Sequence, residues 1–235
     1  MLKTVLAYSK LSKLSNIHPI EKILLCILPI IALSFSTKCY ALVINIIFFL
    51  ALHIIYKNPL HVVRHFVEAT FIFALVSSIT FVFDYGWYNT LILILKAVSG
   101  GMTVSFLTLT TPTDHIFYLG SKKPWLRDIC DIGKSMERFL VLIYDEFQML
   151  RKAMICRGAF GGFKDKVKDS GTLASLLFIN TLNRWKEIKD GIDSRGYKGN
   201  IYYRYEEFDL SYKRIVLIVG YVMCLIILVS IPKYF

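Results

Sequence analysis

The sequence predicts an all-α membrane protein of about five transmembrane helices, four N-terminal and one C-terminal, with a cytoplasmic domain of two long amphipathic helices. Three observations carry that expectation. Of the 235 residues, 55% are apolar, and the mean hydropathy of +0.54 exceeds what a soluble globular chain usually holds. The charged residues, 19% of the total, gather before Lys22 and between Lys122 and Arg214, which separates a lipid-soluble part from a watery one. Long apolar runs occupy the remainder. The implied organisation is an N-terminal transmembrane domain of four spans at 1–111, a cytoplasmic domain at 112–212 and a C-terminal transmembrane helix at 213–235.

The first apolar run, about Ile23 to Ser36, is short for a bilayer and carries Pro29 in its middle, which predicts a kinked span. Only Thr37-Lys38-Cys39-Tyr40 separates it from the second, about Ala41 to Tyr56, so the pair reads as a tight hairpin. A third runs from about Val62 to Phe83, a fourth from about Trp87 to Thr110, and the last from Ile215 to Ile231. Roughly 20 apolar residues at a rise of about 1.5 Å cross the hydrocarbon. The third and fourth therefore span unaided, and the first two need tilt or thinning. The N-terminal stretch Met1 to Ile20 has lysines but no compact apolar core before a small-residue cleavage site, so it does not read as a removed signal peptide.

Lys and Arg set the orientation. With the charged block inside, the cytoplasmic side collects Lys3, Lys10, Lys13, Lys22, Lys57, Arg64 and nineteen more between Lys122 and Arg214, leaving Lys38 and Lys233 outside. That asymmetry predicts a cytoplasmic N-terminus and charged domain, and an external C-terminus. Within the spans, Arg64 and Glu68 are four apart and able to pair on one helix face. Lys96 lies deeper, where it must snorkel or find a carbonyl, and Asn45 is expected to bond a neighbouring helix. The net charge of +11 follows this topology; aromatic and basic residues do not alternate as a nucleic-acid stacking platform requires. An anionic membrane surface or an acidic protein partner fits better.

After the fourth run, Thr110-Thr111-Pro112-Thr113-Asp114 reads as a span end and a new helix start, with Thr113 or Asp114 able to cap free amides. A short helix at His115 to Leu119 is then broken at Ser121-Lys122-Lys123-Pro124. From Ser135, Phe139, Ile143, Phe147, Leu150 and Met154 recur at helical spacing along one face, with Arg138, Asp145, Glu146, Arg151 and Lys152 opposite. Gly158 follows as a C-cap. Gly161-Gly162 with Lys164, Asp165, Lys166 and Lys168 reads as a polar loop, and a second helix starts near Ser170 or Thr172. Its apolar stripe is Leu173, Leu177, Trp185, Ile188 and Ile192, and it too ends on a glycine, Gly196. Both helices thus close on Arg-Gly: Cys156-Arg157-Gly158 and Ser194-Arg195-Gly196, the arginines 38 positions apart. One such ending is ordinary punctuation, since a cation and a left-handed glycine both favour a helix C-terminus. Two of them in the one large hydrophilic domain of a membrane protein point to contact sites. A guanidinium presents a rigid, permanently charged fork suited to a carboxylate-lined groove.

In these residues the chain resembles the transmembrane T component of energy-coupling factor (ECF) transporters, the group that includes EcfT and CbiQ. Family members carry two X-Arg-Gly motifs, commonly Ala-Arg-Gly, at the ends of two cytoplasmic coupling helices; Cys156 and Ser194 stand here for the alanines. His18-Pro19-Ile20-Glu21-Lys22 is similar to the family's Asp-Pro-Arg-x-Lys, with Asp and Arg replaced. Thr110-Thr111-Pro112, the acidic pair Asp145-Glu146 and the run Asp193 to Gly199 match further family features, and the resemblance covers about His18 to Ile231. It implies an all-α coupling subunit that bridges two ABC-type ATPases and one membrane-embedded S component, which captures a vitamin or metal ion. Cys156, Arg157 and Gly158 would dock on one ATPase and Ser194, Arg195 and Gly196 on the other, while the apolar faces transmit closure to the S component in the lipid bilayer.

The rival classes are a membrane-embedded enzyme and a stand-alone transporter. The five histidines are dispersed; His61 and His65 share a helix face but lack a third ligand, and the five cysteines form neither a Cys-x-x-Cys nor a Cys/His cluster. No catalytic or metal-ligating set is therefore expected. Gly-x-x-x-x-Gly-Lys-Ser/Thr is absent, so no cofactor is assigned to this chain, and ATP and magnesium would belong to partner ATPases. Five unequal spans with one hydrophilic insertion show none of the repeated halves of secondary transporters.

Overall fold

A computed structural model describes residues 2–12, 14, 17–196, 208 and 210–230. Among them the chain is helical throughout, without a strand: α1 (Leu2–Leu11), α2 (Pro19–Ser34), α3 (Cys39–Ile55), α4 (Leu60–Thr110), α5 (Thr113–Ser121), α6 (Pro124–Cys156), α7 (Phe163–Ser194) and α8 (Tyr212–Ser230). The chain divides into two compact units, one of 1–116 with 206–235 and one of 117–205.

In the first unit, α2 opens with Pro19 at the start of the helix and the His18 ring accepting from the Ile20 amide at 3.3 Å. The fixed φ of proline and the missing amide hydrogen suit that position. Pro29 lies inside the same helix, as expected. The 51 residues of α4 are two helices. At Gly86 the backbone takes φ 77° and ψ 170°, a region that only glycine enters at low cost. Beyond it the chain doubles back. A Cβ on Gly101 would run into Thr70, and these residues lie at nearly equal distance on either side of Gly86. The halves 60–85 and 87–110 measure about 39 Å and about 36 Å at 1.5 Å per residue, so the expected third and fourth runs appear as a helical hairpin turned on one glycine.

The core forms where α3 meets α4. Cys26, Phe49, Val62, Val63, Met102, Phe106 and Leu109 are buried together, and Leu33, Ala41, Leu42 and Ile92 make a smaller cluster. Polar residues within this apolar mass are satisfied. Asn45 donates to Ser99 Oγ at 2.7 Å and accepts from the Tyr221 hydroxyl at 2.7 Å, which joins α3, α4 and α8. Lys96 Nζ donates to the Ser34 carbonyl at 2.8 Å, the carbonyl of its two expected outcomes, and Arg64 pairs with Glu68 at 2.6 Å as their spacing of four suggests. His53, fully buried, receives the Asn58 amide on Nδ1 at 3.0 Å, which leaves Nε2 facing Ser105 Oγ at 3.1 Å.

Two helices, α4 and α8, are long and apolar enough to cross a membrane, and α3 is a shorter apolar helix. Only 11% of the apolar window of each long helix is buried, whereas the core helix of a soluble protein is mostly covered. Phe73, Val76, Ile79 and Phe83 instead point outward.

In the second unit, α6 and α7 pack along each other. Two sequence expectations need correction here. The first amphipathic helix starts at Pro124, eleven residues before Ser135, because Pro124 occupies its first turn and no breaker lies between them. The second starts at Phe163, so Lys164 to Lys168 are helical and do not form a loop. Gly162 is its N-cap, and the Asp165 carboxylate accepts from the Gly162 amide at 3.2 Å, a carboxylate in the first turn being favoured by the macrodipole. An N-terminal helix, α1, is likewise present where the sequence reading assigns none.

Candidate functional site

The two Arg-Gly endings are built alike. Arg157 ends α6 and Arg195 ends α7, each at the C-cap, and the glycine after each is left-handed, φ +81° at Gly158 and +75° at Gly196. At the first, the Gly158 amide donates to the Ile155 carbonyl at 3.0 Å and the Ala159 amide to the Met154 carbonyl at 3.1 Å. That pair of bonds is the Schellman pattern, which satisfies carbonyls otherwise left open at a helix end. At the second, the Gly196 amide donates to Asp193 at 3.0 Å; Tyr197 to Gly199 of the matched run lie outside the described residues. Both arginines are exposed and hold no ion pair among the described residues. A six-residue turn joins the end of α6 to the start of α7, and α7 has 32 residues, or about 48 Å. The two cationic tips therefore stand at opposite ends of one rod.

The apolar residues assigned to the two helices divide between contact and exposure. Phe147, Leu173 and Leu177, with Ile155, line a groove of about 460 Å³ between α6 and α7 that Arg151 and Lys166 also border. Phe139, Ile143, Leu150, Met154 and Ile188 are half-buried, whereas Trp185 and Ile192 are exposed. Glu146 of the acidic pair locks the helices together: it accepts from Asn180 Nδ2 at 2.9 Å and faces Arg184 at 3.9 Å. At the next turn the loop is pinned by the Phe160 amide on Asp169 at 2.7 Å.

The family model of the cobalt transport protein CbiQ matches residues 2–204. The chain belongs to the CbiQ family. One relative, from Methanocorpusculum labreanum, bears the name fused cobalt transport protein CbiMQ; it is 31% identical over 104 residues, covering 44% of this chain and 17% of that protein. The chain thus spans a small part of that longer relative. A second, the uncharacterized protein MJ1089 of Methanocaldococcus jannaschii, is 24% identical over 247 residues, covering 95% of this chain and 91% of its own length. With outward-facing apolar helices and this family, the protein is a component of membrane transport.

Among the described residues no group of three or more His, Cys, Asp and Glu could hold a metal ion. His61 and His65 are exposed on α4, and Cys156 is an exposed thiol beside the first tip. A further surface escapes the sequence reading. Trp125, Ile129, Ile132, Met136 and Leu140 recur at spacings of four, three, four and four on the early part of α6, and each is more than half exposed. The signal is present in the sequence, but a helix started at Ser135 truncates it. His53 also goes unassigned, because Ser105 lies 52 residues away and nothing local marks the pair.

Proposed function

We propose that this CbiQ-family chain is the T component of an ECF-type importer, coupling ATP binding and hydrolysis on two partner ATPases to the movement of a substrate-capturing S component. The single observation that carries the reading is the pair of alike, exposed Arg-Gly tips at the two ends of α7, neither arginine ion-paired among the described residues. Two ATPase subunits would need two equivalent contacts, and about 48 Å of helix between the tips is room enough for separate partners. Arg157 and Arg195 would enter acidic grooves, flanked by Cys156 and Gly158 at one tip and Ser194 and Gly196 at the other. The residues are small enough to let the guanidinium lead.

The helical hairpin at Gly86 supports four N-terminal spans, α2, α3 and the two halves of α4, with α8 as the fifth. The distribution of Lys and Arg then puts the N-terminus and the 117–205 unit in the cytoplasm and the C-terminus outside. The exposed stripe Trp125 to Leu140 is the better candidate for the sliding contact with the S component, because part of the face through Phe147, Leu173 and Leu177 is spent joining α6 to α7. The family's name favours a transition-metal ion, cobalt first, as cargo over a vitamin. The chain carries no nucleotide-binding loop, so ATP and magnesium sit on the partners, and its contribution is mechanical.

The experiment is co-purification from membranes of the chain with its ATPases. Arg157→Glu together with Arg195→Glu should abolish recovery of the ATPases while membrane insertion is kept, and each single change should reduce recovery only in part. A double variant that assembles and supports uptake at wild-type levels would sink the docking assignment.

A further inference from the structure

The tips occupy one end of the problem; force arriving there must still reach the membrane helices. The 117–205 unit is joined to the rest at two crossings, outward after α4 and back before α8. Both crossings are held by the first 22 residues of the chain. On the outward side, the ammonium of Lys22 donates to the Thr110 carbonyl at 2.9 Å in a buried contact. Thr110 is the last residue of α4, and its carbonyl is one of those an α-helix leaves open at its C-terminus. Four residues on, Asp114 in the first turn of α5 pairs with Lys10 of α1 at 2.8 Å.

On the return side, Glu21 accepts from the Ser211 amide at 2.9 Å, immediately before α8 begins, and its other oxygen lies 3.6 Å from Arg214 Nε in the first turn of α8. One carboxylate thus caps the start of α8 from a different helix, where the macrodipole also favours it. Phe208 bridges the two crossings, its ring edge-on to His18 at 5.9 Å and tilted against His115 at 4.9 Å.

Glu21 and Lys22 are 2% and 3% exposed, and such burial is costly for charges unless they are paired. Lys22 precedes the apolar run that begins at Ile23. A fold that needed only to insert would not bury an acid and a base side by side at the one place where the chain leaves and re-enters the unit.

We propose that Glu21 and Lys22 are positioning residues of the coupling step, clamping both crossings so that displacement of the 117–205 segment is delivered to α4 and α8 and not absorbed in the connections. This rests on the coupling function proposed above. The test has two arms. In nanodiscs holding the chain alone, Glu21→Ala and Lys22→Met should speed amide hydrogen exchange over 110–116 and 210–214 by about tenfold, the loss expected for one charge-assisted bond, with α3 unchanged. Glu21→Gln, which keeps an acceptor for the Ser211 amide, should give a smaller rise and guards against a variant that fails to fold. Unchanged exchange at either crossing overturns the clamp. In the complete transporter, Glu21→Ala should raise the ATP hydrolysed per cobalt ion taken up by about tenfold while ATPase recovery stays at the wild-type level. A ratio equal to wild type reduces the contacts to plain stability and overturns the positioning role. A wild-type chain that recruits no ATPase counts against the coupling reading alone, since the exchange arm decides the clamp without partners.

Discussion

Replacing Gly158 and Gly196 by alanine isolates the geometry that presents each arginine. The two glycines hold φ of +81° and +75°, and a Cβ built on either would meet nothing within 4 Å. Steric crowding therefore contributes nothing, and the cost is backbone strain alone, about 1–2 kcal/mol for an L-residue held left-handed. The chain can escape that strain by unwinding the final turn. At the first tip this breaks the Gly158 to Ile155 and Ala159 to Met154 bonds and swings Arg157 off its axis. Either way docking at one tip should weaken by the same free energy, about 5- to 30-fold. The tips stand about 48 Å apart, so the two effects should add. Titration of the chain in nanodiscs with immobilised partner ATPase reads the loss directly. Gly158→Asn is the control, because asparagine tolerates the left-handed region better than alanine, and it should retain most of the affinity. If alanine and asparagine weaken binding equally, or neither weakens it, the left-handed turn does not set the arginine and the tip argument fails.

Two further predictions concern the membrane unit. Gly86→Ala should lower stability by about 1–3 kcal/mol, because φ 77° with ψ 170° is a glycine region, whereas Gly100→Ala, helical with open space around it, should be neutral or slightly stabilising; equal thermal shifts for the two would refute the hairpin. Asn45→Leu and Tyr221→Phe should be non-additive by about 1 kcal/mol in a double-mutant cycle read by thermal unfolding, since the 2.7 Å bond between them can be lost only once; strictly additive losses would show that the hydroxyl does not bond Asn45.

What was legible in the sequence was local. Apolar runs located α2, α3, both halves of α4 and α8, since burial in lipid writes itself as unbroken hydrophobicity. The Arg64–Glu68 pair followed from a spacing of four, and the carbonyl partner of Lys96 from the cost of a bare ammonium among apolar side chains. The errors were also local in origin. Gly161-Gly162 and three lysines within eight residues looked like a loop, yet a glycine N-cap with an acid three residues later starts a helix just as well, and a single carboxylate oxygen decides between them. The start of α6 is misplaced in the sequence reading because the apolar face was followed only from Ser135 onward, while the helix begins at Pro124 and packs its Gly133 against the Phe117 ring. The clamp at Glu21 was out of reach. Its partner Ser211 is 190 residues away, and no periodicity connects them.

The contrast between the two units bears on the tips more than either Arg-Gly motif does alone. In the first unit four cations at or within the helices have partners: Lys22 on Thr110, Lys96 on Ser34, Arg64 on Glu68, Arg214 beside Glu21. Terminating α6 and α7 requires only the glycine, since the bonds that close each turn are backbone to backbone and any side chain could stand before it. Yet an arginine stands there both times, exposed and ion-pair-free among the described residues, although Asp165 and Asp169 lie within twelve residues of the first and Asp190 and Asp193 within five of the second. Acids were available nearby and were spent elsewhere, Asp165 on Gly162 and Asp169 on Phe160. On the proposed coupling reading, two guanidiniums clear of carboxylates among the described residues would meet carboxylates that another chain brings.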